Sequence, residues 1–332
     1  MEMQGTPPSF IERYFKIREK GSSVRTELLA GVTTFIAMAY ILFVNPNILA
    51  DAGIPKDAAI ASTIWIAALA SLAMGAFANY PVALAPGMGL NAFFAYYVCG
   101  VLGLHWTVAL GAVFFSGVLF LILTVGGIRQ AIINAVPRDL KLAISVGIGL
   151  FIAFIGLKGT GLIVENSATY VSLGHITAPT TLLALFGLLF TAALMARNIH
   201  GSILIGIFVT TLLAILFGLT PGPQSYADII STSLPHMGET FGKLDFIGAW
   251  NYGLLSIIFT FTVVELFDNM GTLIGLTTKA KMVRPDGQIE NIDRALTTDA
   301  VGTMVSAVFG TSTVTSYIES AAGIAVGGRT GI

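Results

Sequence analysis

The chain has 332 residues, of which 55% are apolar and only 11% are charged, and its formal net charge is −1. Soluble domains carry about 25% charged residues, so this composition excludes a soluble globular enzyme, a nucleic-acid-binding protein and a disordered chain. The single cysteine, Cys99, excludes a disulfide framework and a cysteine-based zinc site.

The first 25 residues are polar and of mixed charge, and they lack the apolar segment that follows a basic start in a signal peptide. We therefore expect residues 1–25 to form a cytoplasmic N-terminal segment. Beyond them, the sequence contains apolar runs close to the roughly 20 residues that a helix needs to cross a bilayer. The eight continuous runs are Thr26–Leu49, Ala58–Asn79, Trp106–Gly127, Leu140–Gly156, Thr180–Met195, Gly201–Leu219, Tyr252–Thr277 and Ala295–Phe309.

Two further apolar stretches, Pro81–Cys99 and Gly310–Gly327, are interrupted by Gly, Pro, Ser and Thr. Pro86 and the glycines that follow it disfavour a regular helix, and the β-branched segment Thr311–Tyr317 favours an extended backbone. Each stretch therefore predicts a short strand followed by a half-helix. Together with the eight continuous runs they give ten crossings, so the predicted fold class is an all-α polytopic membrane protein with short strands in spans three and ten.

The placement of Lys and Arg predicts the orientation of these spans. With a cytoplasmic N-terminus, all 17 Lys and Arg except Lys56, Lys158 and Lys243 fall on the cytoplasmic side, as the positive-inside bias requires. Residues 220–251 then form a long outer loop with room for a short interfacial helix. This loop separates a first block of seven spans from a second block that begins with the eighth.

The interrupted span is the third of each block, which predicts an internal repeat. Broken segments at corresponding positions of two halves are typical of transporters that bind substrate at the membrane midplane. Because each half has an odd number of spans, the second copy is expected to be inverted. The second block stops after its third span, so about ten of fourteen spans are expected to be present, and we expect the chain to be truncated. The alternative is that ten spans are complete and the correspondence is accidental.

Three acidic residues lie well inside predicted spans, namely Glu265, Asp268 and Glu319, and Asp299 lies near the start of the ninth. An Asp at the centre of a membrane helix costs about 2.5–3.5 kcal/mol, so such groups are expected to face a polar cavity or the protein interior. Glu265 and Asp268 are three residues apart, a spacing that predicts one shared helix face. Two neighbouring carboxyls in a low dielectric resist being charged together, so one of them is expected to hold a proton.

This pattern predicts a site that binds a flat heterocycle through N–H groups and also carries a proton. Glu319 is expected to open the half-helix of span ten, where free N–H groups favour an anion. Asn91 is expected to open the half-helix of span three, next to Gly89, which lets a ligand approach the backbone, and the stretch that ends at Ser316 offers hydroxyls. The alternatives are structural: a helix cap for Asn91 or Asp299, and a backbone partner for Asp268.

Five segments carry a resemblance to one transporter family: FKIREKGSSVRTELLAGVTTFIAMAYILFVNPNIL, APGMGLNAFFAY, FVTTLLAILFG, TVVELFDNMGTLIG and GTSTVTSYIESAAGIAVGGRTG. From about Phe15 to its last residue, the chain resembles the nucleobase–cation symporter-2 family, and within it the azaguanine-like (AzgA) branch of adenine, guanine and hypoxanthine permeases. The pair Glu319-Ser320 stands where xanthine and uric-acid members carry Gln or Glu followed by Asn, which favours that branch.

The resemblance implies a uracil-permease-like fold of two inverted seven-span repeats. It implies core-domain spans 1–4 in residues 26–139 and gate-domain spans 5–7 in residues 140–219. Residues 220–251 correspond to an extracellular loop and residues 252–332 to core-domain spans 8–10. Substrate is then expected to bind between the core and gate domains, beside the two short strands.

By motif position, the resemblance implies that Glu265 is the purine-binding carboxylate of span eight and that Glu319 is the ligand of span ten. It implies that Asp299 is an important acid of span nine, and that Asp268 lies near a second polar residue of span eight that acts in proton coupling. The coupling ion is then H⁺, with Na⁺ left open. No organic cofactor, metal site or catalytic residue is expected, and the chain is not expected to be an enzyme.

The function predicted in this way is proton-coupled import of purine nucleobases by alternating access, in a multi-pass protein of the cell membrane. The resemblance also implies a homodimer for the full-length transporter. Two alternatives remain open: a uracil or xanthine permease of the same fold, and a non-transporting truncated fragment. The purine account requires Glu265 and Glu319 to line one shared pocket.

Overall fold

The computed structural model describes residues 9–127, 137–199, 201–224, 236–251, 255–284 and 289–332. Its helices are α1 (Phe10–Phe15), α2 (Val24–Met38), α3 (Ile41–Asp51), α4 (Lys56–Ala73), α5 (Met88–Ala92), α6 (Trp106–Val125), α7 (Arg138–Gly159), α8 (Pro179–Ala196), α9 (Ser202–Leu216), α10 (Phe246–Asn251), α11 (Leu255–Lys279), α12 (Ile292–Phe309) and α13 (Ser320–Ala325). Its strands are β1 (Leu84–Pro86), β2 (Ile163–Asn166), β3 (Tyr170–Leu173) and β4 (Val314–Ser316). Helices α4 and α5 continue as π-helical turns over Met74–Ala78 and Phe93–Val101, respectively.

A helix or half-helix lies at each of the ten predicted spans, and strands β1 and β4 lie in the two interrupted ones. The predicted fold class is therefore confirmed. Within the described residues, five helical segments are long and apolar enough to cross a membrane: Val24–Asp51, Lys56–Ala78, Trp106–Val125, Pro179–Ala196 and Leu255–Lys279. A helix is favoured there because it satisfies its own backbone hydrogen bonds in a medium without water.

The first span is divided, which the sequence analysis did not predict. Helix α2 ends at Met38 and α3 begins at Ile41, with Tyr40 between them. The bond from the N–H of Phe43 to the carbonyl of Tyr40 (3.0 Å) spans three residues instead of four, and Pro46 in α3 has no N–H to donate to the preceding turn. The division brings the Tyr40 side chain towards α13.

Helices α6 and α12 pack side by side in the interior, together with α4 and α11. Small residues permit the close approach: a Cβ atom added at Gly117 of α6 would lie 2.8 Å from Cγ of Met304 in α12. The outlying helices α8 and α9 use the same device, since an added Cβ at Gly187 would lie 2.5 Å from Oγ1 of Thr210. Small residues at helix crossings are typical of membrane bundles, where packing replaces the hydrophobic effect.

The segment that follows α13 is held by a buried carboxylate on α2. Glu27 is 2% exposed, and its two oxygens accept the backbone N–H groups of Arg329 (3.0 and 3.2 Å) and Thr330 (3.2 Å). The Arg329 guanidinium in turn donates to the carbonyl of Ile324 (2.8 Å), near the end of α13. Glu27 thereby fixes α13 against α2.

The connections contain two further elements. Between α7 and α8, strands β2 and β3 form an antiparallel hairpin that the sequence analysis did not predict. Its turn is stabilised by Oδ1 of Asn166, which accepts the N–H groups of Ala168 (2.8 Å) and Thr169 (3.1 Å). In the predicted outer loop, the short helix is α10 at the end of the loop, while residues 225–235 lie outside the described residues.

Candidate functional site

The two interrupted spans meet at a two-stranded antiparallel ribbon in which Leu84 pairs with Ser316, Ala85 with Thr315 and Pro86 with Val314. The ladder continues on both sides, from the N–H of Tyr317 to the carbonyl of Ala83 (3.0 Å) and from the N–H of Gly87 to the carbonyl of Thr313 (2.9 Å). A ribbon of two strands leaves two open edges, and open edges inside a membrane protein need partners.

The outer edge of β1 is satisfied by side chains. The Ser71 hydroxyl of α4 accepts the N–H of Leu84 and donates to its carbonyl, both at 3.0 Å. The next outward position is Pro86, which has no N–H to satisfy, and its carbonyl accepts the Tyr317 hydroxyl at 2.6 Å. Proline is therefore well suited to this edge.

The outer edge of β4 is satisfied by α11 and α12. The N–H of Val314 donates to Oγ1 of Thr303 in α12 (3.1 Å), and the N–H of Ser316 donates to Oδ1 of Asn269 in α11 (2.7 Å). Both side chains are fully buried. Each side chain also contacts an acid, so the strand is joined to the two predicted acids behind it.

Glu265 and Asp299 form a reciprocal arrangement behind β4. Thr303 of α12 donates to Oε1 of Glu265 in α11, and Asn269 of α11 donates to Oδ2 of Asp299 in α12. Each helix thus supplies one acid and one neutral partner four residues away. Both acids are 0% exposed, and Oε2 of Glu265 and Oδ1 of Asp299 have no hydrogen-bond partner among the described residues.

Asp268 occupies a different environment from Glu265. Glu265 is enclosed, whereas Asp268 is exposed, so the two carboxyls have different surroundings although they are three residues apart. Three residues correspond to 300° of helix rotation, which leaves the two side chains about 60° apart. Because α6 and β4 pack against α11, this angle separates a buried residue from an exposed one.

Glu319 lies at the N-terminal end of α13, as predicted, and its side chain does not cap its own helix. Its Oε1 instead accepts the Tyr40 hydroxyl at 2.6 Å, and the residue is half-buried. Glu319 follows the last residue of β4 by three positions, and Asp268 precedes Asn269, whose amide oxygen accepts the N–H of Ser316. Both acids therefore belong to segments that meet at the end of β4. Ser316 is 5% exposed, and its hydroxyl has no partner among the described residues.

Asn91 does not open the half-helix of span three, contrary to the prediction. Helix α5 begins at Met88 with Gly87 as its N-cap, so Asn91 lies one turn inside it. Its side chain is 0% exposed and donates to Oδ1 of Asn45, whose own amide donates to Thr63 (2.8 Å). Asn91 belongs to a buried polar network between α3, α4 and α5.

Two glycines of span three have distinct surroundings. At Gly87 an added Cβ would lie 2.6 Å from Cγ2 and 2.8 Å from Oγ1 of Thr315, so glycine is required for the ribbon to close. Gly89 lines a cavity of about 250 Å³ between α5, α7 and α11, whose wall also contains the aromatic rings of Phe93, Tyr97 and Phe151. Neither Glu265 nor Glu319 lines this cavity.

Sequence reasoning missed Asn269, Thr303 and Tyr40. The signal for the first two was spacing, because Asn269 follows Glu265 and Thr303 follows Asp299 by four residues, which places each pair on one helix face. Tyr40 gave no such signal, since its role depends on the division of span one.

Comparison with known proteins places the chain among permeases. Residues 25–332 match the family described as Permease family. The chain is 45% identical over 329 residues to the adenine permease AdeP of Escherichia coli, covering 99% of this chain and 73% of AdeP. It is 41% identical over 324 residues to the guanine/hypoxanthine permease PbuO of Bacillus subtilis, covering 96% of this chain and 74% of PbuO.

One solved structure has a similar fold at low identity. The transmembrane domain of a cyanobacterium bicarbonate transporter, BicA, superposes with a TM-score of 0.61 at 15% identity, covering 93% of this chain and 78% of that chain. A likeness at this level of identity concerns the fold alone.

Proposed function

We infer the function from the premise that this chain belongs to the nucleobase–cation symporter-2 family of permeases. It is a multi-pass membrane protein that transports purine nucleobases. The observation that carries this conclusion is the match, at 40–45% identity and over nearly the whole chain, to permeases named for adenine, guanine and hypoxanthine.

We propose that transport is coupled to protons and that Asp268 and Asp299 take part in the coupling. The support is chemical: the described residues hold four acids around β4, and two of them have a carboxyl oxygen without a hydrogen-bond partner. A buried carboxylate without a counter-charge costs much more free energy than a protonated carboxyl. Uptake should therefore be driven by an inward proton gradient and abolished by a protonophore, whereas a Na⁺ gradient alone should not support it.

For substrate recognition we propose two layers of acids. Glu319 and Asp268 contact the base in the first layer, because the first is half-buried and the second is exposed. The backbone at Gly89, which lines a cavity, and the Ser316 hydroxyl, which has no partner among the described residues, complete this layer. Glu265 supports the base-binding strand from behind, through Thr303 and β4. A purine presents N–H groups that two carboxylates can accept, and loss of one matched partner costs about 1–3 kcal/mol.

An uptake assay distinguishes the roles of the two layers. It measures labelled hypoxanthine, adenine and guanine in cells without their own purine permeases. Glu265→Gln should abolish uptake of all three bases while the protein remains in the membrane, because a buried N–H₂ group takes the place of a carboxyl oxygen directly behind the strand. Asp268→Asn and Glu319→Gln should change the relative uptake of the bases. Glu239→Gln, an exposed acid of the outer loop, is the matched control. Wild-type uptake in the Glu265→Gln variant would contradict this assignment.

The same assay tests the alternatives. Uptake of labelled uracil or xanthine that adenine, guanine and hypoxanthine do not inhibit would replace the assignment to these three bases. Binding of a purine by the purified chain without any uptake would indicate a non-transporting form. An inorganic anion is disfavoured as substrate, because such a carrier needs basic groups at its half-helices and this site presents carboxylates.

We also propose that the N-terminus is cytoplasmic and that the transporter is a homodimer. The first proposal is supported by the distribution of Lys and Arg, and the second by the family resemblance. Cysteine-accessibility labelling of residues 9–25 from each side of the membrane tests the orientation, and cross-linking in native membranes tests the dimer.

A further inference from the structure

The direction of one hydrogen-bond chain is fixed by the backbone of β4. The N–H of Ser316 can only donate, so the atom of Asn269 that faces it at 2.7 Å must be the amide oxygen. The N–H₂ group of the Asn269 side chain therefore faces Asp299. Since this group can only donate, Oδ2 of Asp299 must accept. Rotation of the amide by 180° would set two donors against each other at Ser316.

The exchangeable proton of Asp299 is consequently expected on Oδ1. Oδ2 is committed as an acceptor, whereas Oδ1 is buried and has no hydrogen-bond partner in the described part of the chain. The position of a proton on the neighbouring acid, Glu265, is less constrained. Thr303 carries a hydroxyl that can rotate, and its single hydrogen has a second acceptor, the carbonyl of Val314 at 3.3 Å, besides Glu265.

We infer that Asn269 is a positioning residue that assigns the exchangeable proton of Asp299 to Oδ1 and ties that assignment to strand β4. The inference rests on the proposed proton-coupled transport and names the residue that links the proton to the substrate-binding strand. Because the amide is held from both sides, a movement of β4 releases it, and Asp299 then loses its fixed hydrogen-bond donor.

The charges that face Asp299 come from α11, where Glu265 and Asp268 are close enough to act on it electrostatically. The other elements packed against α12 are α4, α6 and β4. Strand β4 and helix α6 contain no charged residue, and α4 contains only Lys56 and Asp57, at its first turn. No cation among the described charges of these elements forms an ion pair with Asp299, so the amide of Asn269 is the group that stabilises its charge.

The sharpest test is Asn269→Asp, measured by purine binding to the purified chain and by uptake across a pH series. In mildly acid solution a protonated carboxyl at position 269 still donates to Asp299 and still accepts the N–H of Ser316, so binding should approach that of the wild type. In mildly alkaline solution two carboxylates face each other, and binding should fall by about tenfold or more. Asn269→Leu removes both hydrogen bonds and should be impaired at every pH.

The exchange variant Asn269→Asp with Asp299→Asn separates geometry from proton assignment. In this variant the amide at position 299 donates to the carboxylate at position 269, so the hydrogen bond between the helices is restored. Both oxygens at position 269 then act as acceptors, one for this amide and one for the N–H of Ser316, and no free carboxyl oxygen remains. We expect it to bind purine with little dependence on pH and to have lost proton-driven accumulation. Thr277→Val, which removes a buried hydroxyl that bonds only within α11, is the control for packing effects.

The outcomes distinguish this inference from the proposed function. If the wild type neither binds nor accumulates purines, the proposed function fails. If the wild type does both, and the pH profile of Asn269→Asp follows that of the wild type, Asn269 does not assign the proton. Proton-driven accumulation by the exchange variant at the wild-type level would overturn the inference equally.

Discussion

Substitution of Gly87 by alanine tests whether the contact between the two interrupted spans sets the geometry of the site. The backbone of Gly87 is extended, with φ −76° and ψ 114°, so alanine is compatible with its conformation and the cost is steric. The added Cβ would meet Cγ2 of Thr315 at 2.6 Å and Oγ1 at 2.8 Å, distances well inside ordinary contact. Overpacking of this kind costs about 1–3 kcal/mol.

The clash cannot be relieved by a flexible side chain, because Thr315 is β-branched and 4% exposed. We therefore expect β1 and β4 to separate in Gly87→Ala, with a lower unfolding temperature and a purine affinity reduced by at least about fivefold. The assays are thermal unfolding in detergent and equilibrium binding of labelled hypoxanthine. Gly275→Ala, at a helical position where an added Cβ meets nothing within 4 Å, should behave as the wild type.

A second substitution makes the prediction specific. Thr315→Ala removes the two closest atoms and leaves Cβ, which would be 3.3 Å from the new methyl group. Combined with Gly87→Ala, it should restore most of the lost affinity, a coupling between neighbours that a double-mutant cycle measures. The reasoning would be refuted by a Gly87→Ala variant of normal stability and affinity, or by a double variant no better than the single one.

Three further predictions concern individual hydrogen bonds. Tyr40→Phe removes the donor to Glu319 and should lower purine affinity about fivefold, a loss of about 1 kcal/mol, with normal expression as the check. Ser71→Ala leaves the N–H and carbonyl of Leu84 unpaired at the edge of β1 and should lower the free energy of unfolding by about 1–3 kcal/mol, measured by thermal and denaturant unfolding. Glu27→Gln replaces an acceptor with a donor that faces the backbone amides after α13, and should lower stability similarly without altering which purines compete for uptake.

These predictions can each be contradicted by a simple result. Unchanged affinity in Tyr40→Phe would mean that the tyrosine does not hold Glu319 in its binding position. An unfolding temperature of Ser71→Ala equal to that of the wild type would mean that water or another group satisfies the strand edge. A changed order of purine competition in Glu27→Gln would show that the α2–α13 contact reaches the binding site.

Much of the fold follows from short patterns along the chain. Apolar runs near 20 residues predict the spans because a helix is the conformation that satisfies its own backbone in lipid. Proline and glycine in span three, and the β-branched run in span ten, predict the two strands for local steric reasons. The division of span one was not predicted, because a proline within an apolar helix is often tolerated in membranes and its effect depends on the neighbours.

The candidate site was predicted in part. Glu319 at the start of its half-helix followed from local sequence, and the acids of span eight followed from the cost of charge in the bilayer. Which of those acids is buried could not be predicted, since a difference of about 60° on a helix becomes decisive only when α6 and β4 pack against it. Asn91 was misplaced because glycine rather than asparagine provides the cap of α5.

The sequence by itself determined that the chain is a membrane protein, which of its spans are interrupted and which acids lie within the spans. Composition, hydrophobic length and backbone preference are properties of short segments, and they do not depend on distant neighbours. Only the tertiary structure decided how the acids are arranged, because each is joined to its partner across residues far apart in the chain, as Asn269 is to Asp299 and Tyr40 is to Glu319. The direction of a hydrogen bond depends on both partners. It is fixed only when α11, α12 and β4 have packed together and brought donor and acceptor into contact.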